Sequence, residues 1–551
     1  MNTSQYKMVL TNSAIIINDY ELGTCPTLER NFKVWDITYH RYNIIGMYYD
    51  ELNKRLYLPR GSDVDYIKRK LISTMNGDPL TSTVHRAPDY GYTKNIRMKK
   101  KPRNERQEEA LRFMLCKDKY SYNNQKTQFS VNLSTGVGKT YCATGAVSYL
   151  GIRSIIITAQ SGILNQWEQR LLEYTDINKS EIVYLEGSQT LNRIINDQSS
   201  ITNKSIYLVT HSTLQNYGST YGWENVGLVF KKLGIGIKIF DEAHQNFYNM
   251  AMIDFFTNTW RTYYLTATPK RSDRDEDKIY QIYMKNIPSI ELFDDDIDPH
   301  TNYIAIKYNS NPKPSDVIAC KNQYGLNHIA YINYLMTNDR FWMMFDYIFS
   351  LIYKAGGKAL FYIGVNNAIL KVRDRILFNY PELYYDIGIY TSISEDKAIA
   401  KNKKYILTTT KSAGAGEDIA HLKYSVVLAE PFRSEVLARQ SLGRTRDPNT
   451  SYIELVDVGF KQTLRYYNSK KPIFSKYAAS CKNLDVDNTK LINLSEEARC
   501  NIRDRFKYPI RFNEGYPTEA LIFNDSDKKI MYPAIYFGSE IKNQNNKGVE
   551  D

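Results

Sequence analysis

Leu133-Ser134-Thr135-Gly136-Val137-Gly138-Lys139-Thr140 is the stretch on which the fold turns. The β-branched and apolar run before it, Phe129 to Leu133, reads as a buried strand, and Tyr141 to Leu150 reads as a helix. Glycines between a strand and a helix let the backbone curl so that the N–H groups of Thr135, Gly136, Val137 and Gly138 converge on a polyphosphate. The helix N-terminus adds a favourable dipole for an anion. Lys139 then reaches the outer phosphates and Thr140 offers its hydroxyl to Mg²⁺. The usual first glycine of this pattern is Leu133 here, so the segment alone also fits a plain tight turn.

A second segment narrows the choice. Ile235-Gly236-Ile237-Lys238-Ile239-Phe240 reads as a short strand that delivers Asp241-Glu242-Ala243-His244 to its C-terminal end, where parallel sheets bind ligands. Asp241 suits a Mg²⁺ ion held through water, and Glu242 is placed to polarise an attacking water. An Asp-Glu pair after a strand is commonly a solvated turn. The phosphate loop upstream makes the chemical reading the stronger one.

The chain resembles the superfamily 2 helicases and translocases from this point, and further motifs follow in that family's order over residues 100 to 465. Gln107, on a helix expected from about Asn104 to Cys116, resembles the glutamine that reads adenine. Thr158-Ala159-Gln160-Ser161 with Leu164, Gln166 and Trp167 resembles one nucleic-acid backbone motif, and Thr210-His211-Ser212-Thr213 resembles the next. Thr266-Ala267-Thr268-Pro269 resembles the element that couples hydrolysis to domain movement. Gly414-Ala415-Gly416-Glu417-Asp418-Ile419 and Gln440-Ser441-Leu442-Gly443-Arg444-Thr445-Arg446 match motifs V and VI, so Gly416 and Asp418 join the nucleotide-binding set. The resemblance implies Arg444 as the arginine finger, a role worth about 10³ to 10⁵ in rate. The family's second arginine falls at Asp447 here, with Arg446 one position early. Gln440 and His244 are the expected sensors of the terminal phosphate.

Alternating strands and helix-like stretches define the expected architecture: an α/β chain with two tandem RecA-like parallel-sheet motor domains. Strands are expected at 129–133, 154–158, 206–209, 235–240 and 262–265, then at 358–363, 387–390, 405–409, 425–428 and 452–456. The expected domains are a small N-terminal α+β accessory domain at 1–95, motors at 96–295 and 296–465, and a short C-terminal extension at 466–551. The acidic, proline-bearing segment Asp294 to Pro299 reads as inter-domain connection. Asn43 to Tyr49 and Arg55 to Leu58 read as a hairpin, and the Leu58-Pro59-Arg60-Gly61 run resembles the accessory domain of UvsW-type and XPB-type DNA helicases.

Charge points to the partner. The net charge is +12, seven basic residues face a single acid between Lys94 and Arg106, and six with no acid lie between Lys461 and Lys482 beside Tyr466, Tyr467, Phe474 and Tyr477. Such segments suit a polyanionic strand, although a charge run is also the ordinary solvated face. The nucleic-acid contacts expected are Ser161, Thr210, Lys470 and Lys471. The six cysteines have no close spacing that would make a zinc module or disulfide framework. No apolar run approaches the length of a membrane span. These features imply a soluble intracellular chain without a membrane partner, compatible with a monomer. The tyrosine-, asparagine- and isoleucine-rich composition fits an AT-rich phage or viral genome, hence a host cytoplasm.

The expected function is an ATP-dependent DNA helicase or duplex translocase using ATP and Mg²⁺, with DNA favoured over RNA as track. The alternatives are an RNA helicase and an ATP-gated nucleic-acid scaffold with little turnover.

Overall fold

The computed structural model describes residues 6–36, 41–44, 46–75, 80–133, 138–267, 274–292, 301–322, 325–391, 394, 396–413, 419, 421–432, 450–505, 523–524 and 529–530. The chain divides into two compact units, Met1–Ile297 and Asp298–Asp551.

The first unit holds two sheets. A seven-stranded, all-parallel sheet runs in the order Ile182–Tyr184, Ile206–Thr210, Ser154–Thr158, Ile237–Asp241, Arg261–Thr266, Gln128–Leu133, Ser289–Leu292. Its strands are apolar on both sides because helices cover both faces. Side chains alternate accordingly. Ile155, Ile157, Phe240 and Tyr264 enter one core, whereas Ile156, Ile239, Tyr263 and Leu265 enter the opposite one. Leu133, Thr158, Thr210, Asp241 and Thr266 all close their strands at the C-terminal end. Parallel winding therefore gathers motifs that are far apart in sequence along one sheet edge.

The second sheet of this unit is the N-terminal one, ordered Tyr48–Asp50, Arg55–Pro59, Ala14–Asn18, Tyr6–Thr11, Leu80–Arg86. It is antiparallel except for the Tyr6–Thr11 and Leu80–Arg86 pair. The expected hairpin is shorter than its sequence pattern, since Arg41–Ile44 pairs instead with Lys33–Asp36 and only Tyr48–Asp50 meets Arg55–Pro59. This sheet shares one continuous core with the large sheet: Met8, Ile15, Ile17, Leu56 and Leu58 join Ile155, Phe240, Met250, Tyr264 and Tyr283. Tyr57 stacks on Phe256 at 4.9 Å between ring centroids, and Asn12 N–H donates to Asn258 Oδ1 at 2.9 Å.

The tightest seam is at Gly61. A Cβ there would lie 2.2 Å from the Tyr283 carbonyl oxygen and 2.7 Å from Ile287 Cγ1, while the Asn286 N–H donates to the Gly61 carbonyl at 3.0 Å. Backbone cannot yield as a flexible side chain does. Gly61→Ala is expected to cost about 1–3 kcal/mol through overpacking. A melting curve that superposes on the parent's would show that the seam relaxes freely.

The second unit repeats the parallel scheme, in the order Ile387–Tyr390, Tyr405–Thr408, Lys358–Tyr362, Leu422–Val427, Thr450–Asp457, Thr301–Tyr308, Ser480–Val486. Alternation again splits the side chains, with Phe361 and Leu407 in one core and Leu360 and Ile406 in another. The helix Lys461–Tyr477 packs on this sheet, and strand Ser480–Val486 joins it as the seventh member. Helix Asn488–Arg505 lies on helix Asp339–Ala355. The layers of the second parallel sheet therefore run past residue 465. The polar strand Ser480–Val486, exposed along most of its length, carries no buried alternation that would mark it in the sequence.

Candidate functional site

The helix that follows the glycine-rich loop spans Lys139–Leu150 and starts two residues earlier than its apolar pattern indicates. Thr135, Gly136 and Val137 lie outside the described residues. Gly138 stands at the N-cap with φ of 110°, in the region that only glycine enters cheaply. A Cβ at Gly138 would meet Gln107 Nε2 at 2.3 Å. Gln107 is buried on helix Glu105–Met114, where its N–H is capped by Asn104 Oδ1 at 3.0 Å and its Oε1 accepts from Arg103 N–H at 2.8 Å. The glutamine singled out for adenine is thus packed directly against the last glycine of the loop.

Lys139 reaches across to the second motif. Its Nζ lies 3.1 Å from Glu242 Oε1, with the two side chains 12% and 10% exposed, so each neutralises the other in a poorly solvated place. Glu242 has φ of 51°, a left-handed conformation uncommon for a residue with a side chain. The turn is held by Glu242 N–H donating to Asp241 Oδ1 at 3.0 Å and by Ala243 N–H donating to the Leu265 carbonyl at 2.9 Å. Strain of this kind is typical where geometry is imposed by function.

Asp241 is buried at the end of the central strand Ile237–Asp241. Its second oxygen, Oδ2, accepts from Trp167 Nε1 at 2.8 Å. Burial and then the neighbouring Glu242 charge push its pKa up to about 6, against the opposing pull of Lys139 and the Trp167 hydrogen bond. His244 Nδ1 lies 2.8 Å from Thr266 Oγ1 and 3.4 Å from Glu242 Oε2, tying the Asp241-Glu242-Ala243-His244 turn to the end of strand Arg261–Thr266.

The donor set fits a small hard cation. Thr140 at the head of the helix and Asp241 at the strand end are both oxygen donors, and among the described residues no group of three or more His, Cys, Asp or Glu side chains could form an all-protein cage. A single carboxylate with a hydroxyl, completed by phosphate oxygens and water, is the pattern for Mg²⁺ at a nucleotide.

The expected nucleic-acid residues fare differently. Ser161 is exposed and opens helix Ser161–Tyr174. Thr210 caps helix His211–Tyr221, its Oγ1 accepting from Thr213 N–H at 3.2 Å. Lys471 is exposed, but Lys470 is not available to any phosphate. Lys470 is fully buried, ion-paired with Glu454 and 4.0 Å from the Phe432 ring centroid. Helical phase explains the correction: adjacent residues lie about 100° apart, so one lysine of the pair turns in as the other turns out. The basic run at Lys94 is also partly spent internally, with Lys94 on Glu181 at 2.6 Å and Lys100 on Glu173. Arg444, Arg446, Gln440, Gly416, Asp418, Thr268 and the Asp294–Pro299 stretch lie outside the described residues.

Two features were not read from the sequence. Trp167 belonged to an expected backbone-contact motif, yet it is 2% exposed and bonded to Asp241. Lys238, in the middle of an apolar strand, is fully buried with Nζ 2.6 Å from Asp254 Oδ1 and 2.7 Å from Thr257 Oγ1. Both Tyr264 and Tyr283 hydroxyls donate to Asp254 Oδ2. A charge inside a hydrophobic run was the available signal for this network, though it did not name the partner.

Residues 99–271 match the family model described as type III restriction enzyme, res subunit. Rad25 of Haloarcula marismortui, named as a DNA 3′-5′ helicase, is 26% identical over 147 residues, which is 27% of this chain and 21% of that protein. Rad25 of Halobacterium salinarum is likewise 26% identical over 147 residues, 27% of this chain and 22% of its own length. The match thus spans about a fifth of the curated relatives. Among solved structures, T4 UvsW gives a TM-score of 0.33 at 14% identity, covering 87% of this chain and 99% of that one. Dbp5 of S. cerevisiae, bound to RNA and ADP BeF3, gives 0.46 at 14% identity, covering 72% and 93%. The residues that match the type III restriction-subunit model include Lys139 and the Asp241-Glu242-Ala243-His244 turn, and the chain is similar over 147 residues to the Rad25 helicases.

Proposed function

We propose that this protein is an ATP-dependent DNA helicase or duplex translocase. The observation that carries the reading is the cluster of half-buried Lys139 with buried Asp241, Glu242 and His244, assembled at the C-terminal edge of a parallel sheet within residues 99–271, the stretch that matches the restriction-subunit family model. In that cluster Lys139 would exchange Glu242 for the outer phosphates of ATP, which frees the Glu242 carboxylate to orient and deprotonate water. Thr140 and Asp241 would hold Mg²⁺, which supplies charge neutralisation at the phosphates. Gln107 is proposed to read the adenine edge. Arg444 would stabilise charge on the transferred phosphoryl group, with Arg446 and Gln440 as assisting groups. DNA is favoured because the sequence relatives carry a DNA helicase name.

The test is steady-state ATP hydrolysis with no nucleic acid, single-stranded DNA, forked DNA and matched RNA. Strong stimulation by DNA over RNA is expected. Stimulation by RNA alone would turn the reading to an RNA motor, and no turnover on any ligand would leave a binding scaffold.

Lys471 supplies a surface prediction. The solvent side of helix Lys461–Tyr477 presents Lys461, Arg465, Lys471 and Lys476. Lys471→Glu is expected to reduce the slope of log affinity against log salt for DNA by about 1, the loss of one phosphate contact. An unchanged slope would return this lysine to the ordinary solvated surface.

A further inference from the structure

Asp241 is held by two donors among the described residues, one to each oxygen. Glu242 N–H reaches Oδ1 at 3.0 Å and belongs to the turn itself. Trp167 Nε1 reaches Oδ2 at 2.8 Å from a different element, the helix Ser161–Tyr174. That helix follows strand Ser154–Thr158, which pairs directly with the strand carrying Asp241, Ile157 lying opposite Phe240.

The indole has a fixed place. Trp167 is 2% exposed and belongs to the same core as Leu133, Cys142, Ile163 and Leu171, so its ring is enclosed by packing. Indole N–H is a donor only, with no acceptor role to compete. A carboxylate pinned at both oxygens in a buried site has its plane set in advance and retains one lone pair on each oxygen for a further partner. Partners that orient a metal-holding group from behind typically control metal affinity or activity by about 10–100-fold.

We propose that Trp167 is a positioning residue for the divalent-metal site: its indole N–H sets the orientation in which Asp241 meets the metal that accompanies the nucleotide. The proposal rests on the nucleotide-site reading above. It also places the helix opening at Ser161 one hydrogen bond from the metal-facing carboxylate, with about 9 Å of helix axis between Ser161 and Trp167.

Two substitutions separate donor from bulk. Phenylalanine at 167 keeps most of the aromatic volume and removes the N–H, whereas histidine can present a ring N–H at the corresponding place in its five-membered ring and loses the fused six-membered ring. The readout is binding of a fluorescent ATP analogue by the full chain, titrated with Mg²⁺ and compared with binding in EDTA. Trp167→Phe is expected to raise the half-saturating Mg²⁺ concentration about 10-fold, with binding in EDTA unchanged. Trp167→His is expected to stay within about 3-fold of the parent, as its ring N–H reproduces the bond.

A parent-like Mg²⁺ dependence in Trp167→Phe overturns the proposal alone. So does a larger loss in Trp167→His than in Trp167→Phe, since bulk and not the donor would then matter. Analogue binding by the parent that is indifferent to Mg²⁺ overturns the metal-site reading and this proposal together.

Discussion

Glu242→Gln is expected to lower DNA-stimulated ATP hydrolysis by about 10²–10⁴-fold, the span of a general base that acts in the transition state. The side chain keeps its shape and its carbonyl oxygen, so Lys139, now 3.1 Å from Oε1, retains an acceptor before nucleotide enters. Nucleotide binding should therefore survive. It should also gain slightly, because Glu242 is, after burial, the chief influence raising the Asp241 pKa, and the amide removes that like charge. The two effects separate cleanly in one experiment: turnover from steady-state hydrolysis with saturating DNA, and affinity from equilibrium binding of an ATP analogue. Turnover within a few-fold of the parent would remove Glu242 from the chemistry. Loss of binding would instead make it a structural anchor for the loop.

The second large effect is on stability. Asp254→Ala removes the partner of a lysine that has no solvent at all: Lys238 and Asp254 are both fully buried, with Nζ and Oδ1 2.6 Å apart. Burial already drives the Lys238 pKa down, and Asp254 opposes it. After the substitution Lys238 keeps only the Thr257 carbonyl at 3.0 Å and the Thr257 hydroxyl at 2.7 Å, and the Tyr264 and Tyr283 hydroxyls lose their shared acceptor. Breaking a buried pair on one side costs about 3–5 kcal/mol. That is a large part of the roughly 5–15 kcal/mol by which domains are stable. At about 1.6 °C per kcal/mol in a unit of this size, the unfolding transition of the first unit, Met1–Ile297, should fall by roughly 5–8 °C in calorimetry. Adding Lys238→Met to Asp254→Ala should recover part of the loss, since the stranded charge goes with the lysine. A double variant no more stable than the single one would assign the cost to the tyrosines.

These two residues show how differently the site and its support could be read. Glu242 follows an apolar strand and pairs with a glycine-rich loop, so its local sequence carries its chemistry. Asp254 stands in a helix of mostly apolar residues, Phe247–Phe256, with nothing beside it to name Lys238, Tyr264 or Tyr283 as its partners. Trp167 is intermediate. It was visible as part of a motif, but the motif assigned it to a nucleic-acid backbone, whereas its ring turns into the core and meets Asp241. Lys470 and Lys471 make the same point within two letters. Charge was legible, and the helical phase that buries Lys470 against Glu454 and Phe432 was not.

The two parallel-sheet layers were legible in the sequence through apolar strands at regular intervals, and so was the Asp241-Glu242-Ala243-His244 turn at the end of its strand. Both are local: strand periodicity, a glycine that must adopt positive φ, and a carboxylate at a strand end are written in consecutive residues. Packing of the folded chain settled that the N-terminal sheet shares a core with the first seven-stranded sheet, that Ser480–Val486 completes the second, and that Trp167 holds Asp241. Those outcomes depend on which surfaces meet after the chain has closed long loops. An apolar face or a lone hydrogen-bond donor is compatible with many partners until packing selects one.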